Sequence, residues 1–192
     1  MWAGGGLVFL DEPRIGDAVR RISRIADVAM KEGRTGPLCF VTVTHHLDVD
    51  GRPILEERQD IVYRGEETGA AKAPAPAPRG RHARPFDTST TTLFRYSALT
   101  FNGHRIHYDR RYAMEVEGYG GLVVHGPMQA TLLMNFAAEL RGAPPKRFSF
   151  RGLSPLIDDD SCFVHAEEAD GGLRLWTARA GGPVAMQAEA QW

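Results

Sequence analysis

The sequence predicts an α+β protein in which an antiparallel sheet wraps around one buried helix. Three observations lead there. Residues 127–141 (PMQATLLMNFAAELR) are apolar almost all round, a pattern for a buried helix. Short β-forming segments separated by glycine turns follow that helix. The N-terminal third reads as further strands joined by hairpin turns, and one helix among runs of strands defines an α+β layer architecture.

In chain order, Leu7 to Leu10 is a short apolar strand ended by Asp11-Glu12-Pro13. Residues 17–30 place Val19, Ile22, Ile25 and Val28 three apart, which is a helical spacing, but the flanking turn residues favour a long bent strand. Residues 38–47 (LCFVTVTHHL) are a strand, Asp50-Gly51 a hairpin turn, and 54–64 (ILEERQDIVYR) the return strand. Residues 65–87 carry an alternating Ala-Pro tract and read as a semi-rigid, solvated spacer. The expected domains are therefore 1–64, a spacer over 65–87, and 88–192. Thr91 to Thr100 reads as a strand. Pro127 suits the first turn of the long helix, while Gly142, Pro144 and Pro145 stop it. Strands are expected near 146–153, 161–168, 173–180 and 184–192, with turns at Asp170-Gly171-Gly172 and Gly181-Gly182.

The chain has 192 residues and 43% hydrophobic content, enough to bury a core. Its 23 Lys and Arg balance 24 Asp and Glu without a basic tract, which argues against a general nucleic-acid or anionic-membrane binder. The N-terminus lacks the pattern of a signal peptide, and no stretch is apolar for the ~20 residues of a membrane span. Cys39 and Cys162 each lie in an apolar run and read as buried reduced thiols, which fits a cytoplasmic location.

Residues 93–128 hold the densest polar chemistry: three histidines, an Asn, an Asp and several tyrosines, running through Val123-Val124-His125-Gly126-Pro127 into the helix. A helix start offers unpaired N–H groups and a positive dipole end, which suit a developing oxyanion. His104 is expected as an exposed loop residue and His125 as packing beneath the helix start. His45 and His46 fall on opposite faces of a strand, so they form no local chelate. Asp158-Asp159-Asp160 reads as a solvated turn.

The segments SALTFNGHRIHYD (97–109) and EGYGGLVVHGP (117–127) resemble the MaoC-like hydratases and dehydratases of the hot-dog fold. The likeness is greatest to the subgroup of 3-methylfumaryl-CoA hydratase and the type 2 hydroxyacyl-thioester dehydratases. It covers nearly the whole chain: MWAGG, the strands of 32–43 and 56–64, FSFRGLSPL and MQAEAQW also match. The resemblance implies a double hot-dog fold. Its N-terminal half is expected to lack a first strand and central helix, through truncation, a misplaced start codon or a shortened paralogue. It also implies a CoA thioester substrate such as mesaconyl-CoA, with an acyl-carrier-protein thioester as the alternative and no metal or redox cofactor.

Hydration of a 2-enoyl thioester needs a base for water, an acid for Cα and a holder for the enolate oxygen. His107 is the base or acid candidate, because imidazole titrates near working pH. The Gly126 N–H is the oxyanion donor, since glycine admits close approach. The wider family carries Asp where this chain has Asn102, so Asn102 positions water rather than taking a proton. Asp109 and Tyr108 remain candidates for a second proton-handling group. Arg105 and Arg151 are candidates for CoA phosphates or a substrate carboxylate, or are simply surface charges. A hot-dog thioester hydrolase and an inactive thioester-binding paralogue stay open. A bare N-terminal sheet face would favour a homodimer or larger oligomer.

Overall fold

The computed structural model describes residues 2–33, 36–65, 74–158 and 161–192, without the side chain of Arg64. Nine strands form one sheet: β1 (Trp2–Phe9), β2 (Val19–Gly33), β3 (Gly36–Val49), β4 (Arg52–Arg64), β5 (His82–Pro85), β6 (Arg147–Gly152), β7 (Cys162–Ala169), β8 (Gly172–Arg179) and β9 (Met186–Gln191). Their order is β2-β3-β4-β1-β6-β9-β8-β7-β5, and every neighbouring pair is antiparallel. The N-terminal strands thus build one half and the C-terminal strands the other, joined where β1 meets β6.

Residues 17–30 are extended in β2, as expected, with a register shift between Ile25 and Asp27 that bends the strand. Its three-residue apolar spacing reflects that bulge rather than a helix. Two expectations are corrected. Residues 91–100 form a helix, α1 (Thr90–Leu99), not a strand. The threonine run has β propensity, but Ser89 accepts the Thr92 N–H as an N-cap. Asp87 in turn accepts from the Ser89 N–H, and Leu93 and Ser97 face the core one turn apart. Part of the spacer is also not solvated. Residues 66–73 lie outside the described residues, but from Ala77 onward the chain is docked on the sheet. The Ala77 N–H donates to the Gly182 carbonyl, Trp176 Nε1–H donates to Pro78, and His82–Pro85 pairs with β7. A short helix, α2 (Arg110–Glu115), follows a 3₁₀ turn at Arg105–His107.

The long helix, α3 (Gly126–Arg141), crosses the C-terminal half of the sheet and packs on β6 to β9. Leu133, Phe136 and Ala137 meet Phe148, Phe150, Leu175 and Ala188 in the main core. Thr131, Asn135 and Glu139 are exposed, so the helix has one wet edge rather than none.

Directly opposed residues on antiparallel strands share a face. One row therefore runs Ile25, Val43, Gln59, Gly5, Phe150, Ala188, Leu175 across the sheet. Beneath α3 its members are buried, whereas at the N-terminal end Ile25 is 71% exposed and neighbouring Met30 is 69% exposed. Among the described residues no helix covers that half. Cys39 lies on this bare face opposite Met30 and is only half-buried, whereas Cys162 is fully buried. Neither cysteine is in a disulfide.

Candidate active site

Three backbone segments converge ahead of α3. The 3₁₀ turn at 105–107 is clamped to residues 122–124 by the Val123 N–H donating to the Ile106 carbonyl at 3.0 Å. Residues 122–124 are held in turn by the Val124 N–H on the Leu156 carbonyl and by paired bonds between Leu122 and Asp158. Asp158 corrects an expectation: its side chain is 9% exposed, accepts the Leu122 N–H at 2.7 Å and pairs with Arg110. It is a latch for the loop entering α3, not a solvated turn residue; Asp159 and Asp160 lie outside the described residues.

His107 is 8% exposed, and its Nδ1 lies 2.7 Å from the Val123 carbonyl. A carbonyl only accepts, so Nδ1 carries the proton and Nε2 holds the lone pair. Burial pushes the His107 pKa below its ordinary value; the Val123 bond opposes this, and the His104 charge adds to it. The ring is therefore a neutral base at neutral pH. His104 is exposed, as expected, yet its ring sits 5.6 Å edge-on to His107.

His125 is wholly buried and stacks on His107, with ring centroids 3.8 Å apart at 18°. It is the N-cap residue of α3 but makes no side-chain capping bond. Instead its Nε2 meets Ser97 Oγ at 2.8 Å, while Nδ1 is buried without a partner. Burial, then the neighbouring His107, lowers its pKa to about 3, so it stays neutral. Stacking against a ring that does not ionise fixes the plane of His107.

Gly126 follows directly and opens α3, where the first N–H groups have no intrahelical partner. A Cβ there would stand 3.2 Å from the Trp2 ring, so a side chain would crowd the helix start unless the indole gave way. Buried beneath, Gln129 donates to the Val124 carbonyl and accepts from Thr177 Oγ1, which ties the helix start to β8.

The other expected residues separate. Asn102 closes a turn after α1, its Oδ1 accepting the His104 N–H at 3.0 Å; among the described residues no hydrogen bond joins it to His107. Asp109 is the N-cap of α2 and accepts the Tyr112 N–H. That bond and the Arg105 guanidinium hold its carboxyl below the usual range. It serves as a cap and an ion-pair partner. Tyr108 donates its hydroxyl to the Gly103 carbonyl. Arg105 pairs with Asp109 at 2.7 Å and lies over the Tyr112 ring, so it is a local structural pair. Arg151 alternates with the inward Phe148 and Phe150 and therefore projects from the sheet face opposite α3, in a groove with Arg58 and Arg174. Ser97 and Trp2 were not found from the sequence. Ser97 was hidden by the strand reading of its segment, and the Trp2 contact depends on packing between distant segments.

An antiparallel sheet curled on a buried helix, with a polar site at that helix's start, is the architecture of the hot-dog proteins. Solved structures of that class superpose on it. HtdX of Mycobacterium tuberculosis matches with TM-score 0.74 at 19% identity, covering 100% of this chain and 74% of that one. A second Mycobacterium tuberculosis protein with a double hot-dog fold matches with TM-score 0.59 at 14% identity, over 100% and 75%. The family model of the type 2 hydroxyacyl-thioester dehydratases matches residues 1–158, and the chain belongs to that family. Mesaconyl-C(4)-CoA hydratase of Chloroflexus aurantiacus is 48% identical over 82% of this chain and 58% of its own length. The mitochondrial type 2 hydroxyacyl-thioester dehydratase of Schizosaccharomyces pombe is 34% identical over 65% of this chain and 42% of its own length. The chain thus spans only about half the length of these relatives.

Proposed function

We propose that this chain catalyses reversible hydration of a 2-enoyl thioester to the 3-hydroxyacyl thioester. The observation that carries the reading is the neutral His107, stacked on His125 immediately ahead of the Gly126 helix start. In the forward direction His107 Nε2 takes a proton from water as the water oxygen bonds to Cβ. The C=C electrons move through Cα to the thioester oxygen, giving an enolate held by the Gly126 N–H and the positive end of α3. Return of the proton from His107 to Cα restores the carbonyl and frees the base. With Asp109 and Tyr108 engaged elsewhere, His107 serves both proton transfers, and the Asn102 amide orients the water.

Family membership supports the thioester. The 48% identity to a mesaconyl-C4-CoA hydratase favours a short, branched dicarboxylic CoA ester, with an acyl-carrier-protein thioester as the alternative. Coenzyme A then enters as part of the substrate, and the reaction draws on no further cofactor. We place the protein in the cytoplasm, in keeping with two cysteines that are not joined in a disulfide. We also propose a homodimer or larger homo-oligomer in which a second copy covers the bare sheet face. Ile25, Val28, Met30 and Tyr63 are exposed there, and burying each is worth about 1.5–3 kcal/mol.

Incubation with crotonyl-CoA and mesaconyl-CoA tests the reaction class. Loss of enoyl absorbance without release of free thiol is expected. Free thiol would establish a hydrolase instead, and binding with neither signal would establish an inactive paralogue.

A further inference from the structure

The MWAGG segment has no duty in the proton transfers of hydration, yet it sets an aromatic ring against the oxyanion glycine. The β1–β4 register slips between Trp2 and Gly4, a bulge that leaves Trp2 opposite Ile61 on the helix-bearing face. Gly5 makes room for an aromatic stack beside this bulge. A Cβ there would lie 2.7 Å from Phe150 Cζ and 2.5 Å from the Arg58 carbonyl, so only glycine lets the Phe150 ring lie across β1. The Trp2 indole rests on that ring, with centroids 4.5 Å apart and planes at 43°. From this seat Trp2 Cε3 comes within 3.2 Å of where a Cβ on Gly126 would be, with the Met186 methyl 3.8 Å away on the same glycine. Trp2 is only half-buried. Residues of the N-terminal half thereby reach the site whose base lies in the C-terminal half.

We propose that Trp2 is a substrate-contacting residue: its indole forms the wall on which the acyl thioester lies beside Gly126, and it limits the size of the acyl group admitted. This rests on the assignment of Gly126 as the thioester site. The chemistry fits both partners. A conjugated enoyl thioester is flat and apolar, and an indole presents a broad apolar face with little conformational freedom to lose. A rigid wall at this distance favours short acyl chains by exclusion, because residues below it are already packed: Phe150 supports the ring and Met186 fills the adjoining space.

Trp2→Phe and Trp2→Ala in the full chain decide the matter. Crotonyl-CoA is expected to quench the tryptophan emission of the parent protein. Trp2→Phe should lose most of that quench, although Trp176 and Trp192 remain. In Trp2→Ala, kcat/KM for 2-octenoyl-CoA relative to crotonyl-CoA should rise about tenfold, the scale on which pocket volume discriminates chain length. Trp2→Phe should shift the ratio much less. Either an undiminished quench in Trp2→Phe, or an equal loss on both thioesters in folded Trp2→Ala, overturns the proposal while leaving the hydratase reading intact. Absence of both quench and turnover in the parent protein defeats the thioester reading itself, and the Trp2 assignment with it. If Trp2→Ala does not fold, the emission of Trp2→Phe still gives the answer.

Discussion

Replacing His107 by alanine removes two separable things, and the structure says how large each is. The Nε2 lone pair goes, and with it the base for water and the acid for Cα. General acid–base catalysis is worth about 10²–10⁴ in rate, or roughly 2.7–5.5 kcal/mol of barrier. The Nδ1–H bond to Val123 goes too, worth about 1 kcal/mol of stability, together with packing against the buried His125 ring. His107→Asn separates the two, because its amide nitrogen stands on Cγ as Nδ1 does and can still donate to the Val123 carbonyl while it supplies no base. The assay is the loss of enoyl absorbance with crotonyl-CoA, run beside thermal melts. Both variants should fall at least ~100-fold in kcat, with His107→Asn melting closer to the parent than His107→Ala. Turnover within tenfold of the parent in a folded His107→Asn would remove His107 from the mechanism. The pH profile gives an independent reading. The active form is neutral and its pKa is depressed, so kcat/KM should be flat above about pH 6.5 and fall in acid as the imidazole takes a proton. His104→Ala removes a neighbouring positive charge, so it should move that acid limb to higher pH without changing the plateau.

Buried groups and the bare face supply three further expected outcomes. His125 has a folded pKa of about 3, below its unfolded value, so the unfolded chain binds the extra proton between those values. Stability is therefore complete above about pH 6.5 and is lost on acidification toward pH 3, by about 1.4 kcal/mol per pH unit for this one group. Urea melts across that window should show the slope, and His125→Phe should flatten it. Asp158→Ala strips the Leu122 N–H and Arg110 of their shared acceptor and should cost about 1–3 kcal/mol, read as a lower urea midpoint at unchanged slope. Ile25→Asp puts a charge on the uncovered sheet face; light scattering should show an oligomer in the parent that dissociates in the variant, and a monomeric parent would remove self-association as the cover.

What the sequence made legible depended on how far apart the cooperating residues lie. Asn102, His107 and Gly126 could be nominated as candidates because they stand close together in one polar stretch ahead of a well-marked helix. The strands could be read because Asp50-Gly51 and Gly171-Gly172 punctuate them and because β-branched residues fill them. Thr91–Thr100 reads as a strand because threonines carry β propensity, whereas the Ser89 cap and the spacing of Leu93 to Ser97 that decide for helix are quieter signals. That error conceals Ser97, whose side-chain contact with His125 joins residues far apart in the chain. Arg151 could have been placed correctly. Once Phe148 and Phe150 are assigned inward, strand alternation alone sends Arg151 to the other face. Asp109 and Asp158 show the opposite difficulty. Nothing in an acidic residue's sequence neighbourhood distinguishes a proton carrier from an N-cap or a latch, because the difference lies in which donors the fold brings to its oxygens. Both here are saturated by backbone N–H groups and arginines. The proposed mechanism therefore gives the proton transfers to His107. The same geometry explains why a neighbour as unreactive as His125 is needed. A single imidazole that both takes and returns a proton must keep its plane through the cycle, and a stacked, permanently neutral ring holds it without competing for the proton.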